Sequence, residues 1–223
     1  MKPTVNVLYF PGTNCQRETV LAFERAGALA NVVFASDLLA GKARLDNADI
    51  LCIPGGFSFG DHIMGGLVAS VLLTHGVAEQ LAACRERLIL GICNGFQIAM
   101  RAGLFGKGAT LTWNDCGTFQ DIADQPHIVT EGHGTPWLRG LEGETLTFPC
   151  AHGEGKFIYT SREGWREALR YPASANPDGS MDHIAGIATP DGKVFGLMNH
   201  PERALHRDAN QQFFENGVNW VRS

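Results

Sequence analysis

The sequence has no long apolar run and no run of basic residues. No apolar stretch approaches the roughly 18–20 residues that a helix needs to cross a bilayer. The N-terminus also lacks the apolar stretch and small-residue cleavage site of a signal peptide. Lys and Arg number 18 against 23 Asp and Glu, for a formal net charge of −5. These absences argue against a nucleic-acid or membrane surface as the main partner, and they predict a cytoplasmic protein.

The sequence also lacks two common ligand-binding motifs. There is no C-x-x-C pair, which argues against the usual zinc sites, and no G-x-x-x-x-G-K-[ST] phosphate loop. The cysteines are spread along the chain and are expected to be reduced thiols: Cys15, Cys52, Cys84, Cys93, Cys116 and Cys150.

What is present indicates a single α/β domain over residues 1–223, with a mostly parallel central sheet covered by helices on both faces. In the first half, apolar runs of strand length alternate with helical patterns. The strands predicted there are 5–10, 31–34, 50–53 and 88–91, and the helices are 16–26 (capped by Asn14), 67–87 (broken at Gly76) and 94–102. The second half offers short strands at 110–112, 145–149, 157–160, 184–189 and 194–198, a hairpin turn at 191–192, and a closing helix at 210–221.

The sharpest local signal is Gly91-Ile92-Cys93-Asn94-Gly95, between a buried strand and a helix. It has the pattern of a nucleophile elbow, with cysteine in the place of serine. The turn would put the thiol at a helix N-terminus, which favours the thiolate, and would aim the Asn94 N–H at a developing oxyanion. The alternative is a buried cysteine that merely packs well, which is how we interpret Cys52.

A thiolate nucleophile needs a base and a group that orients the base. Among eight histidines the best candidate is His200, which follows a predicted strand. Glu202 lies two residues further on and can reach the same side of an extended segment. Alone, a His-x-Glu pattern would indicate only a surface histidine. Together with the elbow it predicts a Cys93-His200-Glu202 triad.

Three further segments are ambiguous by themselves. Pro54-Gly55-Gly56 is either an ordinary turn or the source of a second oxyanion donor. Cys15 is a rival nucleophile near a helix start, but it lacks a following glycine, so we interpret it as structural or at the rim of the site. The run 151–157, Ala-His-Gly-Glu-Gly-Lys-Phe, is equally compatible with a solvated loop and with a surface that meets substrate or partner.

At these positions the sequence resembles the class I (triad) glutamine amidotransferases. The order of the segments is similar to that of one branch, the glutaminase subunits of phosphoribosylformylglycinamidine synthase in purine biosynthesis. The similarity covers nearly the whole chain, with departures at 62–65, after Phe119 and at Asn199 that leave the triad intact. The segments that carry it are 10–15 (FPGTNC), 54–61 (PGGFSFGD), 91–97 (GICNGFQ), 152–157 (HGEGKF), 179–187 (GSMDHIAGI) and 200–204 (HPERA).

The resemblance implies that Cys93 attacks the side-chain amide of L-glutamine. The N–H groups of Gly56 and Asn94 would hold the oxyanion, His200 would protonate the leaving ammonia, and Glu202 would orient His200. Water would then hydrolyse the glutamyl thioester to glutamate. Five residues are implied at the glutamine pocket or the rim that faces the partner: Gly55, Gln97, His152, Gly153 and Glu154.

The resemblance also implies that the ammonia passes to a separate synthetase subunit, with a small accessory subunit, as part of an ATP-dependent C–N ligase. ATP and Mg²⁺ would then belong to the partner, and this chain would need no metal or organic cofactor for its own half-reaction. Three alternatives stay open at this point. The chain could be a glutaminase that feeds a different acceptor, a stand-alone cysteine amidase, or a degenerate subunit that regulates a synthetase without catalysis.

Overall fold

A nine-stranded mixed sheet runs through the computed structural model, which describes residues 1–130 and 134–223. The order of strands in this sheet is β2-β1-β3-β4-β11-β10-β9-β6-β7, and β5 pairs with β8 in a separate two-stranded sheet. The strands are β1 (Thr4–Tyr9), β2 (Leu29–Phe34), β3 (Ile50–Ile53), β4 (Leu88–Ile92), β5 (Ala109–Thr112), β6 (Gln120–Val129), β7 (Thr145–His152), β8 (Lys156–Tyr159), β9 (Arg166–Arg170), β10 (Ile184–Ala188) and β11 (Val194–Leu197).

Helices cover both faces of the sheet, as predicted. The first packs against the last, α1 against α6, while α3 packs against α5. The α-helices are α1 (Gln16–Arg25), α2 (Ala35–Leu39), α3 (Leu67–Val71), α4 (Ala78–Cys84), α5 (Asn94–Arg101) and α6 (Asp208–Trp220). Within residues 1–130 and 134–223, no single helix is long and apolar enough to cross a membrane; only Leu67–Gly76 with Ala78–Cys84, bent by 96°, passes that test as a pair.

One half of the sheet is parallel and carries the candidate site at its edge. The strands β2, β1, β3, β4 and β11 all run in the same direction. Every residue of β3, β4 and β11 is buried, which explains their unbroken apolar runs. The turns after β1, β3, β4 and β11 therefore meet at one edge, and they carry Cys15, Gly55, Cys93 and His200. Open α/β sheets bind ligands at this edge.

The other half of the sheet is antiparallel. A turn at 191–192 joins β10 to β11, as predicted, and β9, β6 and β7 extend the sheet. The sequence analysis missed β6 and β9. The pattern of β6 is broken by Pro126 and by an irregularity in pairing between Ile122 and Gln125, so it does not alternate as a half-buried strand should.

Three details of the helices compare differently with expectation. Asn14 does not cap α1, as was expected: Cys15 occupies the N-cap position, and the Asn14 carboxamide oxygen instead accepts a hydrogen bond from the Cys15 thiol at 3.1 Å. The helix predicted over 67–87 is broken at Gly76, as predicted, with α3 and a π-helical turn over Leu72–Gly76 before the break and α4 after it. The five-residue α2 was not predicted, because it is too short to show a periodic signal.

Candidate active site

Cys93 occupies a strained turn between β4 and α5. Its φ of 52° is unusual for a residue with a side chain. The turn packs so closely on β3 that a Cβ atom at Gly95 would lie 1.7 Å from the Ile53 carbonyl oxygen, so only glycine fits there. The Cys93 N–H donates to the Leu197 carbonyl at 2.9 Å, which ties the elbow to β11. Strain that is fixed from several sides marks a functional position and supports the elbow prediction.

His200 and Glu202 form a buried pair beside the elbow. His200 Nδ1 lies 2.7 Å from Glu202 Oε1, and both side chains are 1% exposed or less. The backbone N–H of His200 donates to the Pro149 carbonyl at 2.8 Å, which fixes the start of this segment. In the described part of the chain His200 Nε2 makes no hydrogen bond. Its position therefore allows it to exchange a proton with another group.

The charge of the imidazole depends on two opposing effects. Burial of His200 is the largest effect and disfavours the charged form, but the Glu202 carboxylate and the Cys93 and Cys15 thiols together favour it more strongly. Together they raise the pKa of His200 well above 6.5. A protonated imidazole with a carboxylate behind it is suited to donate a proton to a leaving group.

Two adjoining cavities open onto Cys93. Their volumes are about 260 and about 250 Å³. Both are lined by Gly56, Phe57, Cys93, Phe119 and Ala151. The first adds Gly60, Asp61, Gln97, Trp113, His152, Gly153 and Glu154, and the second adds Asn14, Asp121, His200 and Arg203.

Gly56 borders both cavities together with Cys93, and Asn94 directly follows Cys93 at the start of α5. A Cβ atom at Gly56 would lie 2.7 Å from Thr13 Cα, and its φ is +147°, so glycine is needed there. The Asn94 side chain ties the start of α5 to the segment 58–61, which follows Gly56. Its oxygen accepts from the Ser58 N–H at 3.1 Å, and its nitrogen donates to Asp61 at 3.0 Å. Two preorganised donors beside a nucleophile can form an oxyanion hole.

Gln97 and Glu154 line the first cavity, but their side chains are already bonded to protein atoms. Gln97 Nε2 donates to the Glu154 carbonyl at 2.9 Å, and its oxygen accepts from Asn94 at 2.9 Å. The Glu154 carboxylate accepts from the Gly65 N–H at 3.1 Å and lies 3.7 Å from the Arg101 guanidinium. These two residues therefore shape the wall of the cavity.

His152 lies on the same wall and is neutral. Burial, aided by the charge of His200, lowers the pKa of His152 to about 3. Its Nε2 lies 3.3 Å from Cys150 Sγ and 3.9 Å from the Asp178 carboxylate, whose own pKa burial raises to about 6. His152 cannot act as a proton donor near neutral pH. Gly153 lines the cavity beside it, and a Cβ atom added there would lie no closer than 3.8 Å to its nearest neighbour, Phe119 Cα.

Gly55 does not line either cavity but lies beneath His200. A Cβ atom there would be 2.7 Å from His200 Cε1 and 3.2 Å from Cys15 Sγ. Cys15 Sγ also accepts a hydrogen bond from Arg203 at 3.0 Å. Cys15 was expected to be structural or at the rim of the site; it is 1% exposed and lies beneath His200, so it is not at the rim. Only the order of β1, β3 and β4 in the sheet reveals that proximity.

One group of possible metal ligands lies here. Cys15, His200 and Glu202 each offer an atom within 4.8 Å of the other two. The Arg203 guanidinium beside Cys15 Sγ opposes a cation at this point, and Glu202 is already paired with His200. We assign no metal to this group.

Most of the predicted residues border the two cavities. Gln97, His152, Gly153 and Glu154 line the first, His200 lines the second, and Gly56 and Cys93 border both. Gly55, Asn94 and Glu202 line neither cavity, but Gly55 and Glu202 contact His200 and Asn94 follows Cys93 in the chain. The sequence analysis missed the aromatic residues at the mouth, Phe57, Trp113 and Phe119, which are exposed. Scattered positions in the chain gave no signal for that cluster.

Comparison with known proteins agrees with this geometry. A family model described as the CobB/CobQ-like glutamine amidotransferase domain matches residues 2–221. The chain belongs to this glutamine amidotransferase family. The α/β fold and the amidotransferase assignment made from the sequence are thereby confirmed.

Curated relatives of this amidotransferase extend over its full length. The phosphoribosylformylglycinamidine synthase subunit PurQ of Thermotoga maritima is 37% identical and is covered completely, as is this chain. The protein of the same name from Pyrococcus furiosus is 37% identical, with 97% of this chain and 98% of the relative covered. A chain in the solved PurLQS structure from Thermotoga maritima has a TM-score of 0.86 and 35% identity, covering 99% of this chain and all of that one.

Proposed function

We propose that this chain is the glutaminase subunit of phosphoribosylformylglycinamidine synthase. It hydrolyses L-glutamine to glutamate and ammonia, and it delivers the ammonia to a synthetase subunit in de novo purine biosynthesis. The observation that carries the proposal is the strained Cys93 elbow facing a buried His200–Glu202 pair. Full-length relatives with the corresponding name support the acceptor reaction.

In the proposed first step, the Cys93 thiolate attacks the side-chain amide carbon of glutamine. The carbonyl oxygen takes the negative charge of the tetrahedral intermediate, and the N–H groups of Gly56 and Asn94 hold it. A preorganised donor of this kind contributes about two to three orders of magnitude in rate. The N-terminus of α5 adds its dipole at the same position.

Collapse of the intermediate breaks the C–N bond. The His200 imidazolium donates the proton from Nε2 to the departing nitrogen, while Glu202 holds Nδ1 and the ring orientation. Neutral His200 then accepts a proton from water, which attacks the glutamyl thioester. Glutamate leaves and Cys93 returns to its starting state.

We assign the glutamine pocket to the first cavity, which Cys93 shares with Gln97, His152, Gly153 and Glu154. Because the Gln97 and Glu154 side chains are already bonded to protein atoms, the remaining polar side chains of this lining are the Asp61 carboxyl group and the neutral imidazole of His152. Gly55 contributes by leaving room for His200.

The proposed partner is a synthetase subunit, with a small accessory subunit. Exposed aromatic rings at the cavity mouth suit a surface that a partner covers: Phe57 and Phe119 have centroids 6.3 Å apart, and Trp113 is 61% exposed. ATP and Mg²⁺ would act on the partner, so this chain needs no cofactor for its own half-reaction. We propose the cytoplasm as its location.

The test is glutamine-dependent glutamate release by the purified chain, with and without the synthetase, its formylglycinamide ribonucleotide substrate, ATP and Mg²⁺. We expect release that rises with the complete partner mixture and falls by about a thousandfold or more in Cys93→Ala. Cys84→Ala is the matched control, because Cys84 is also a buried cysteine but lies in α4. It should leave the rate within about twofold.

Other outcomes identify the alternatives. Full Cys93-dependent release without a partner would indicate a stand-alone cysteine amidase. Release that responds to another synthetase would indicate a different acceptor. A Cys93→Ala chain that still supports the complete reaction from glutamine would indicate a regulatory subunit and would refute the proposed chemistry.

A further inference from the structure

Two thiols, those of Cys15 and Cys93, lie against one buried imidazole. His200 interacts with both of them. Cys93 opens onto the two cavities, whereas Cys15 is behind it, 1% exposed and outside the lining of either cavity. The proposed glutaminase chemistry uses Cys93 and leaves Cys15 without a role.

Gly55 leaves the space between these thiols open. A Cβ atom on Gly55 would lie 3.2 Å from Cys15 Sγ and 3.4 Å from Cys93 Cβ. Because glycine has no such atom, the two cysteines border one small buried volume, together with His200. The sheet order explains this meeting, since β3 lies between β1 and β4 and the three following turns carry Cys15, Gly55 and Cys93.

The surroundings of Cys15 suit an attacking sulfur. The Arg203 guanidinium donates to Cys15 Sγ at 3.0 Å, and it would stabilise negative charge on that atom. The third thiol nearby differs, because burial raises the pKa of Cys150 to about 12 and keeps it protonated. A protonated thiol is a poor nucleophile.

We propose that Cys93 and Cys15 form an oxidation-sensitive pair in which Cys15 is the resolving thiol. The oxidant is a hydroperoxide such as H₂O₂. The Cys93 thiolate attacks one peroxide oxygen, the O–O bond breaks, and the departing hydroxide takes a proton from solvent, which leaves a sulfenic acid and one water. The Cys15 thiol then attacks the sulfenic sulfur, the S–O bond breaks, the departing hydroxide takes up the thiol proton as a second water, and a disulfide forms.

Closing this disulfide changes the site. The bond holds the two Cβ atoms roughly 3.8 Å apart, so it ties the turn that carries Cys15 to the elbow across Gly55. His200 Cε1 borders the same volume and would be displaced. The oxidised protein is therefore inactive but protected from irreversible oxidation, and a dithiol restores it. The loss of activity rests on the proposed function; the formation of the disulfide does not.

The direct test is peptide mapping of the full chain. The protein is treated with H₂O₂, then catalase, then an alkylating agent, and is digested with trypsin without reduction. Cys15 and Cys93 are the sole cysteines of the tryptic peptides 1–17 and 88–101. We expect these two peptides linked, two hydrogens lighter than their sum, and separated by dithiothreitol.

Two variants sharpen the test. Cys15→Ser should give no linked species and should accumulate sulfinic acid on Cys93. Cys150→Ser should still link 1–17 to 88–101. Dithiothreitol should raise the glutaminase rate of the oxidised wild type by at least about fivefold, and that of oxidised Cys15→Ser by less than about twofold. Each rate is expressed relative to that of the same protein before oxidation.

Three results would overturn the proposal. In the first, Cys93 of the wild type is oxidised to sulfinic acid and peptides 1–17 and 88–101 are never linked. In the second, Cys93 is linked instead to peptide 140–156, which carries Cys150. In the third, Cys93 stays a thiol at peroxide concentrations that oxidise the exposed Cys116. A linked pair in a chain with no glutaminase activity before oxidation would contradict the proposed function and leave this inference standing.

Discussion

The two sides of Cys93 are built on different principles. On one side lie His200 and Glu202, whose side chains are paired with each other while His200 Nε2 is left without a hydrogen bond in the described residues. On the other side, the polar side-chain atoms of Gln97 and Glu154 are hydrogen-bonded to protein groups. Side chains carry the chemistry on the first side, and on the second they hold the backbone that forms the cavity.

This contrast separates two kinds of buried histidine. His200 and His152 are both within the site and almost fully buried, yet their pKa values shift in opposite directions. One reason is the distance from each imidazole to a carboxylate. The Glu202 carboxylate is 2.7 Å from His200, whereas the nearest carboxylate to His152 is 3.9 Å away. Burial therefore decides the pKa of His152, whereas at His200 the carboxylate and the neighbouring thiols together outweigh burial.

The largest predicted effect distinguishes the roles of the His200 and His152 rings. His200→Asn should lower kcat for glutamine hydrolysis by about 10⁴-fold, because it removes the proton donor. His152→Asn should lower kcat/KM by about tenfold or less, since a neutral ring on the cavity wall transfers no proton. Steady-state glutamate release measures both. Equal losses in two folded variants would contradict the division of roles.

Much of the chemical side of the site could be predicted from the sequence. Local patterns carry it: the two glycines around Cys93 and the His-x-Glu spacing at 200–202 each describe a single turn at a strand end. The buried strands β3 and β4 were equally clear, because both faces are covered and the runs are continuously apolar.

The supporting side could not be predicted in the same way. β6 and β9 are held by pairing with distant strands, and their own residues show no regular alternation. The burial of Cys15 depends on which strands are neighbours, which is a property of the sheet order. The interactions of Gln97 and Glu154 likewise join segments that are 57 residues apart.

A smaller effect is expected for Glu202, and it tests whether this carboxylate sets the orientation and charge of His200. Glu202→Gln should lower kcat by about 10³-fold, because the ring loses its orientation and its countercharge. The carboxylate raises the pKa of His200, so the imidazolium persists below that raised value and is lost as the pH rises through it. Without the carboxylate this loss occurs at lower pH.

The measurement is the pH profile of kcat, whose alkaline limb should move to lower pH in Glu202→Gln. Glu202→Asp is the control, because it keeps the charge and should leave the limb nearer its wild-type position. An alkaline limb that is identical in the wild type and in Glu202→Gln would mean that Glu202 does not set the protonation of His200.

The smallest effect compares one glycine from each side. In Gly55→Ala the added methyl group would lie 2.7 Å from His200 Cε1, so the imidazole must shift, and kcat should fall by about 10²-fold. In Gly153→Ala the nearest atom is the Phe119 Cα at 3.8 Å, an ordinary contact, and kcat should stay within about threefold. Because Gly153 lines the first cavity, its substitution should act mainly on KM.

Separate determination of kcat and KM, with circular dichroism to establish folding, distinguishes the two variants. If Gly55→Ala changed only KM, the space beneath His200 would belong to substrate binding, and the contrast between the two sides of Cys93 would not hold there.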